Sequence, residues 1–190
     1  MRNTAVLIVA AGSVVASLAC MGLGGDRLAE TPASPPDIVE STAPITLKFG
    51  KPSGWQIDKQ EYKDGDVDVV HYTLDGEVAS VQIVVVEPGA TAPDPATDHA
   101  AFVQAIRSEF GEAVNLPEVQ PQSRTLGGRE ARGLVQPFSL GTGATPVSGE
   151  HQTWSVSGPT TEGLVVIDLT QTDEAARAGV EEVLKLLALP

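Results

Sequence analysis

Alternation of apolar and polar positions marks most of the chain beyond residue 44 as strand, and two stretches with a four-residue period read as helices. Ile45-Thr46-Leu47-Lys48-Phe49 alternates in steps of two, the mark of a half-buried strand, and residues 50–54 turn it into Trp55-Gln56-Ile57. Two β-branched runs, 67–74 and 77–87, flank Asp75-Gly76. Asp-Gly between such runs predicts a two-residue hairpin turn, because both central residues must accept positive φ. Residues 123–126 and 129–136 flank Gly127-Gly128 as a second hairpin, and 151–157 with 163–170 form a third around Gly158-Pro159. Residues 136–149, rich in Gly, Ser, Thr and Pro, read as a long loop.

The first helix starts at Asp94-Pro95, with Asp as cap and Pro at the first helical position. Phe102, Ile106 and Phe110 then recur every four residues beside Val103, and Gly111 ends the run. The second helix is capped by Thr172, carries Asp173 and Glu174 in its first turn, and buries Ala176, Val180, Val183, Leu184 and Leu187. The order strands, helix, strands, helix, with hairpins between strands, predicts an α+β fold: a mostly antiparallel sheet of about six strands with two main helices packed on it. One domain, 44–190, holds all of this. Residues 21–43 lack aromatics and any amphipathic period and read as a flexible tether, with an r.m.s. span of about 25–30 Å.

The other apolar stretch lies at the start. Met1-Arg2-Asn3-Thr4 precedes an apolar run from Ala5, which ends in Ser17-Leu18-Ala19-Cys20. A basic start, an apolar stretch and small residues before the cut describe a secretory signal covering residues 1–19. With the chain's one cysteine next, the segment resembles the bacterial lipoprotein signal. That resemblance implies a diacylglycerol on Cys20, which becomes the mature N-terminus. Ser17 stands where that family has Leu, and Ser17-Leu18-Ala19 also suits an ordinary signal peptidase, which would leave a secreted protein with an incidental Cys20. In a cell with two membranes, Met21 rather than Asp after the cysteine implies the outer one.

The element order, Pro52-Ser53-Gly54-Trp55, the long central helix, the Gly-led strand at 128–136 and the closing amphipathic helix together resemble the PsbP-like/DcrB-like superfamily. That group includes mycobacterial lipoproteins of the LpqN/LpqT type. The resemblance implies a scaffold or assembly factor at a cell envelope.

Charge narrows the partners. The net charge is −13, and loss of residues 1–19 removes Arg2 and no acid, leaving −14. Such a chain suits neither nucleic acid, which is held through Lys and Arg on phosphates, nor a polybasic grip on anionic lipid. The membrane link is therefore the acyl chains on Cys20, of which two or more hold stably. A single cysteine also leaves no intrachain disulfide, so the fold rests on its core.

Catalytic patterns are missing from the sequence. Asp64-Gly65-Asp66-Val67-Asp68 spaces its acids like a Ca²⁺ loop, but Val69 occupies the glycine place and Asp75 the glutamate place. That stretch reads as a solvated turn entering a strand. His71, His99 and His151 lack metal-ligand spacing and read as surface or strand-face residues. No serine sits in G-x-S-x-G. The expectation is a binding module with no catalysis, no metal and no cofactor, and its partner a protein or lipid of the envelope. The alternative is a carrier for a small apolar ligand such as a lipid. Candidate binding residues are Trp55 and Trp154, read mainly as core and otherwise as walls of a groove, and Arg124, Arg129 and Arg132, a local positive cluster. Arg124 and Arg132 share a face only if the Gly127-Gly128 hairpin pairs them across the ladder. The sequence leaves the oligomeric state open.

Overall fold

The computed structural model describes residues 37–41, 44–87, 90, 93–141, 146–172 and 174–189. The strands are β1 (Asp37–Ser41), β2 (Leu47–Lys51), β3 (Gln56–Asp64), β4 (Val67–Asp75), β5 (Ala79–Val86), β6 (Val114–Asn115), β7 (Gln120–Leu126), β8 (Arg129–Leu140), β9 (Val147–Ser157) and β10 (Glu162–Leu169). Helix α1 (Pro95–Phe110) follows β5, and α2 (Glu174–Lys185) follows β10. The class is α+β. One eight-stranded sheet runs β3-β4-β5-β10-β9-β8-β6, with β7 also on β8, and β1 pairs with β2 in a separate ribbon. Every pairing is antiparallel.

The expected six strands are therefore eight in the main sheet. β3 escapes the pattern because eight of its nine residues are exposed, so no apolar face alternates along it. β6 is only two residues long. β1 lies inside the stretch that reads as tether, so strand structure is already present before residue 44. Only Val39, half-buried against the core, and Ser41, buried, turn inward, which is too short an alternation to register as strand. Residues 136–149 are not one long loop: β8 runs on to Leu140 and β9 begins at Val147. Phe138 and Leu140 alternate with Pro137 and Ser139 and pack beneath α1, which outweighs the loop-like composition.

The hairpins fall where the turn residues place them. Leu126 pairs with Arg129, and both central glycines have positive φ, 56° and 77°. The Asp75-Gly76 turn is longer than two residues: Gly76 N–H donates to the Ala79 carbonyl, and Asp75 pairs with Ser80. Asp94 caps α1 by accepting from the Ala96 N–H, and Gly111 closes it at φ 55°.

The two sheet faces are covered unequally. On one, Val70, Tyr72, Leu74, Val81, Ile83, Val165, Ile167 and Trp154 meet Val180, Val183 and Leu184 of α2 and Leu47 and Phe49 of β2 in one continuous core. Burying each large aliphatic side chain there contributes about 1.5–3 kcal/mol. The bridge between Lys48 and Ala188 ties β2 to the segment after α2. On the opposite face α1 buries only Phe102, Ile106 and one charged residue, Asp98.

Candidate functional site

Asp98 is buried because it has a partner. The register sets Gln136 of β8, His151 of β9 and Asp168 of β10 side by side, and Ser80 and Asp75 continue the row across β5 and β4. Strand alternation puts the whole row on the face that α1 crosses. The His151 imidazole lies flat against Phe102, with ring centroids 4.0 Å apart and planes 2° from parallel. Nδ1 sits 2.7 Å from Asp168 Oδ1, and Nε2 sits 3.3 Å from Asp98 Oδ2. The second contact is an ion pair without the alignment of a hydrogen bond. Thr153 Oγ1, two residues along the same face, has no hydrogen-bond partner among the described residues.

Two effects compete for the His151 proton. Burial pushes its pKa down, but the charge and hydrogen bond of Asp168, joined by the nearby carboxylate of Asp98, outweigh burial and hold it up at about 9. The imidazole is thus a cation at neutral pH. Its nitrogens face two carboxylates rather than a hydroxyl or thiol, so the group braces α1 to the sheet and offers no general base. His99 adds a lighter tie, with Nε2 3.2 Å from Gln136 Oε1, whose amide in turn donates to the Pro117 carbonyl. At the far end of the row, Asp75 is pushed up by burial first and then by the charges of Asp168 and Asp58.

A groove opens on the other face, beside α2. It measures about 470 Å³ and is lined by Gln122, Arg124, Glu150, Gln152, Trp154 and Glu181, among others. Trp154 is its buried floor, with the Arg124 guanidinium 5.4 Å from the ring centroid. Arg124 Nη2 donates to Glu181 Oε1 of α2 at 2.7 Å. A polar chain continues along the floor: Trp154 Nε1 donates to Gln152 Oε1, the Gln152 amide to Glu150, and Arg177 Nη2 meets Glu150 at 3.5 Å.

Of the residues singled out from the sequence, the structure brings Arg124 and Trp154 together and separates the rest. Arg124 pairs with Ala131, and Arg132 pairs with Ser123, so Arg132 projects from the face opposite Arg124, while Arg129, opposite Leu126, lies on the Arg124 face. Arg132 is 82% exposed and paired with Glu130, while Arg129 reaches the Ser157 carbonyl at 3.5 Å. Trp55 lies partly buried against the core, at the edge of α2. Cys20 lies outside the described residues.

His151, a surface or strand-face residue by its sequence pattern, is in fact buried, 3% exposed, and ion-paired. The signal that could have found it is Asp168. A lone carboxylate within Leu164-Val165-Val166-Ile167-Asp168-Leu169, otherwise apolar, requires a cationic partner across the ladder.

No protein-family model matches the chain, and no curated protein matches it. Among solved structures, it is similar to the cyanobacterial PsbP (CyanoP) of Synechocystis sp. PCC 6803. The TM-score is 0.47 and the identity 12%, over 88% of this chain and 99% of that one. It is also similar to LpqN, which is involved in cell envelope biogenesis of Mycobacterium tuberculosis. There the TM-score is 0.39 and the identity 15%, over 81% of this chain and 90% of that one. Among the described residues, no helix is long and apolar enough to cross a membrane.

Proposed function

We propose that this protein is a lipid-anchored, extracytoplasmic binding module of the cell envelope without catalysis of its own. Cys20 holds it to the membrane, and the Arg124–Trp154 groove engages a protein partner. In a cell with two membranes the anchor lies in the outer one. The observation that carries the binding reading is the immobilised Arg124. A free arginine gives up about 2 kcal/mol of rotamer entropy on engaging a partner. Here Trp154 beneath the guanidinium and Glu181 beside it have already restricted the side chain. Interfaces concentrate their binding energy in such rigid aromatic and arginine anchors.

Two features support this reading over its rivals. The layer between α2 and the sheet, where an acyl ligand would need some hundreds of Å³, is filled by Trp154, Val180, Val183, Leu184 and their neighbours. His151 is protonated and occupied by Asp98 and Asp168, which removes the histidine best placed for acid–base work.

The test is proximity labelling of the lipidated chain in its own envelope, comparing wild type with Arg124→Glu and with Arg132→Glu on the opposite face. A specific protein lost only with Arg124→Glu supports the groove. Retention of that protein by Arg124→Glu overturns it. A stoichiometric lipid recovered with no protein transfers the case to a carrier.

A further inference from the structure

The two edges of the main sheet are finished differently. At one end β7 is short and carries Pro121, which removes a backbone donor from the edge. At the other end β3 runs nine residues without Pro, Gly or bulge, in unbroken register with β4 from Gln56↔Asp75 to Asp64↔Val67. Every β3 residue but Asp64 is exposed, and among the described residues no further strand pairs with its outer row of N–H and C=O groups. Ile57 and Tyr62, two of the three exposed large hydrophobic residues among those described, lie on this strand.

Natural edges of this length are usually blunted, and the charges on β3 look at first like such a device. Their order says otherwise. Two copies pairing side by side as antiparallel strands are related by a two-fold axis normal to the sheet, so residues directly opposite share a face and their numbers sum to an even value. With the axis at Gln60 all nine residues pair. Lys59 then faces Glu61, Ile57 faces Lys63, Asp58 faces Tyr62 and Gln56 faces Asp64, each twice, and no like charges meet. Around the axis Lys59 and Glu61, already ion-paired within the strand, meet their symmetry mates in a square of alternating charge. The Lys63 stem covers Ile57. A slip of two residues one way sets Lys59 against Lys59. The same slip the other way sets Lys59 against Lys63, Asp58 against Asp64 and Glu61 against Glu61. Direct neighbours lie about 4.5–5.5 Å apart at Cβ and diagonal ones about 7–8 Å, so the opposite pairs decide the register.

We infer that β3 is a self-complementary edge through which two copies of this chain join their sheets, in the one register that places Gln60 on the two-fold axis. The occupant is a second copy because the charge order is matched to its own reverse. A single strand edge, about 30 Å long, buries the small area of a weak, transient contact. Confinement of both copies to one membrane raises their effective concentration. This surface lies at the far end of the sheet from the Arg124 groove, so it stands or falls separately from the proposed binding site.

The register is testable by disulfide trapping of the full chain in its membrane. The natural chain has only Cys20, so wild type reports any link through that residue. Gln60→Cys places two thiols opposite one another within bonding reach, whereas the two thiols of Ile57→Cys stand about 20 Å apart. Oxidation should give a covalent homodimer at position 60 in at least about tenfold greater yield than at position 57. Adding Glu61→Lys should suppress the position-60 dimer, because Lys then faces Lys, and Lys59→Glu with Glu61→Lys should restore it. Equal yields at 57 and 60, or no dimer at 60, overturn the inference. So does a disulfide from the Gln60→Cys variant to a different polypeptide in place of the homodimer. The comparison of 60 with 57 leaves the charges untouched and decides the matter even if a charge variant folds poorly.

Discussion

Gly179 of α2 leaves the space that the Trp55 indole fills: a Cβ there would lie 2.7 Å from Cζ2 of the ring. Gly76, in the turn before β5, makes the same allowance at the same edge of the ring, with a Cβ 2.7 Å from Cε2. Trp55 is thus gripped between a turn and a helix by two missing side chains.

Two effects oppose one another in Gly179→Ala. Alanine in a helix interior gains about 1 kcal/mol over glycine, while overpacking costs about 1–3 kcal/mol. The ring is wedged against Gly76 and cannot retreat freely, so overpacking wins and the variant should be less stable than wild type. In a Trp55→Ala background the clash disappears, and Gly179→Ala should become stabilising. Urea melts of the four proteins would show this reversal of sign. The same sign in both backgrounds would remove Trp55 from the account.

Leu184→Asp should unfold the chain. Leu184 is 3% exposed within the core between α2, β2 and the sheet, and an unpaired carboxylate there costs several kcal/mol out of a total of about 5–15. Loss of the cooperative thermal transition is the expected result. An unchanged melt would place this helix face in solvent.

The α2 face, the α1 cap and the Gly127-Gly128 turn were readable because each rests on local physics: a 3.6-residue period, a side chain reaching back to a backbone N–H, and two adjacent positive φ angles. β3 was not, since a strand exposed on both faces has no period to detect. The arginine group failed for a related reason. A two-residue turn pairs Leu126 with Arg129 and thereby fixes Ser123, not Arg124, opposite Arg132, and that register is set by the turn rather than by the arginines. The brace at His151 joins Asp98 and Asp168, 70 residues apart in sequence, and only the sheet order brings them together.

Anchoring has a direct test. If Cys20 carries the acyl chains, Cys20→Ser should move the protein from the membrane to the soluble fraction and abolish labelling by a palmitate analogue. The expected shift is large, because a chain of net charge −13 has no polybasic attachment to fall back on. Fractionation of cells expressing each form reads the outcome, and unchanged membrane retention of the Ser variant would refute the lipoprotein reading.

The His151 brace predicts how stability depends on pH. Its folded pKa, about 9, lies above the ordinary value of 6.5. For a group raised in the folded state, the stabilisation is fully present below the unfolded pKa and disappears as pH rises through the folded one. The window of loss therefore runs from about 6.5 to about 9, with an upper magnitude of about 3 kcal/mol. His71 does not confuse this range: burial, its largest influence, pushes its pKa down, away from the window. Urea melts at about pH 7 and about pH 10 should show wild type losing on the order of 2–3 kcal/mol. His151→Gln should be less stable than wild type at the lower pH, since Asp98 and Asp168 are left buried without a cation, and should lose much less between the two. A wild-type chain whose stability is flat across this window would mean that His151 is neutral in the folded state, and that α1 is held by Phe102 and Ile106 without the ion pairs.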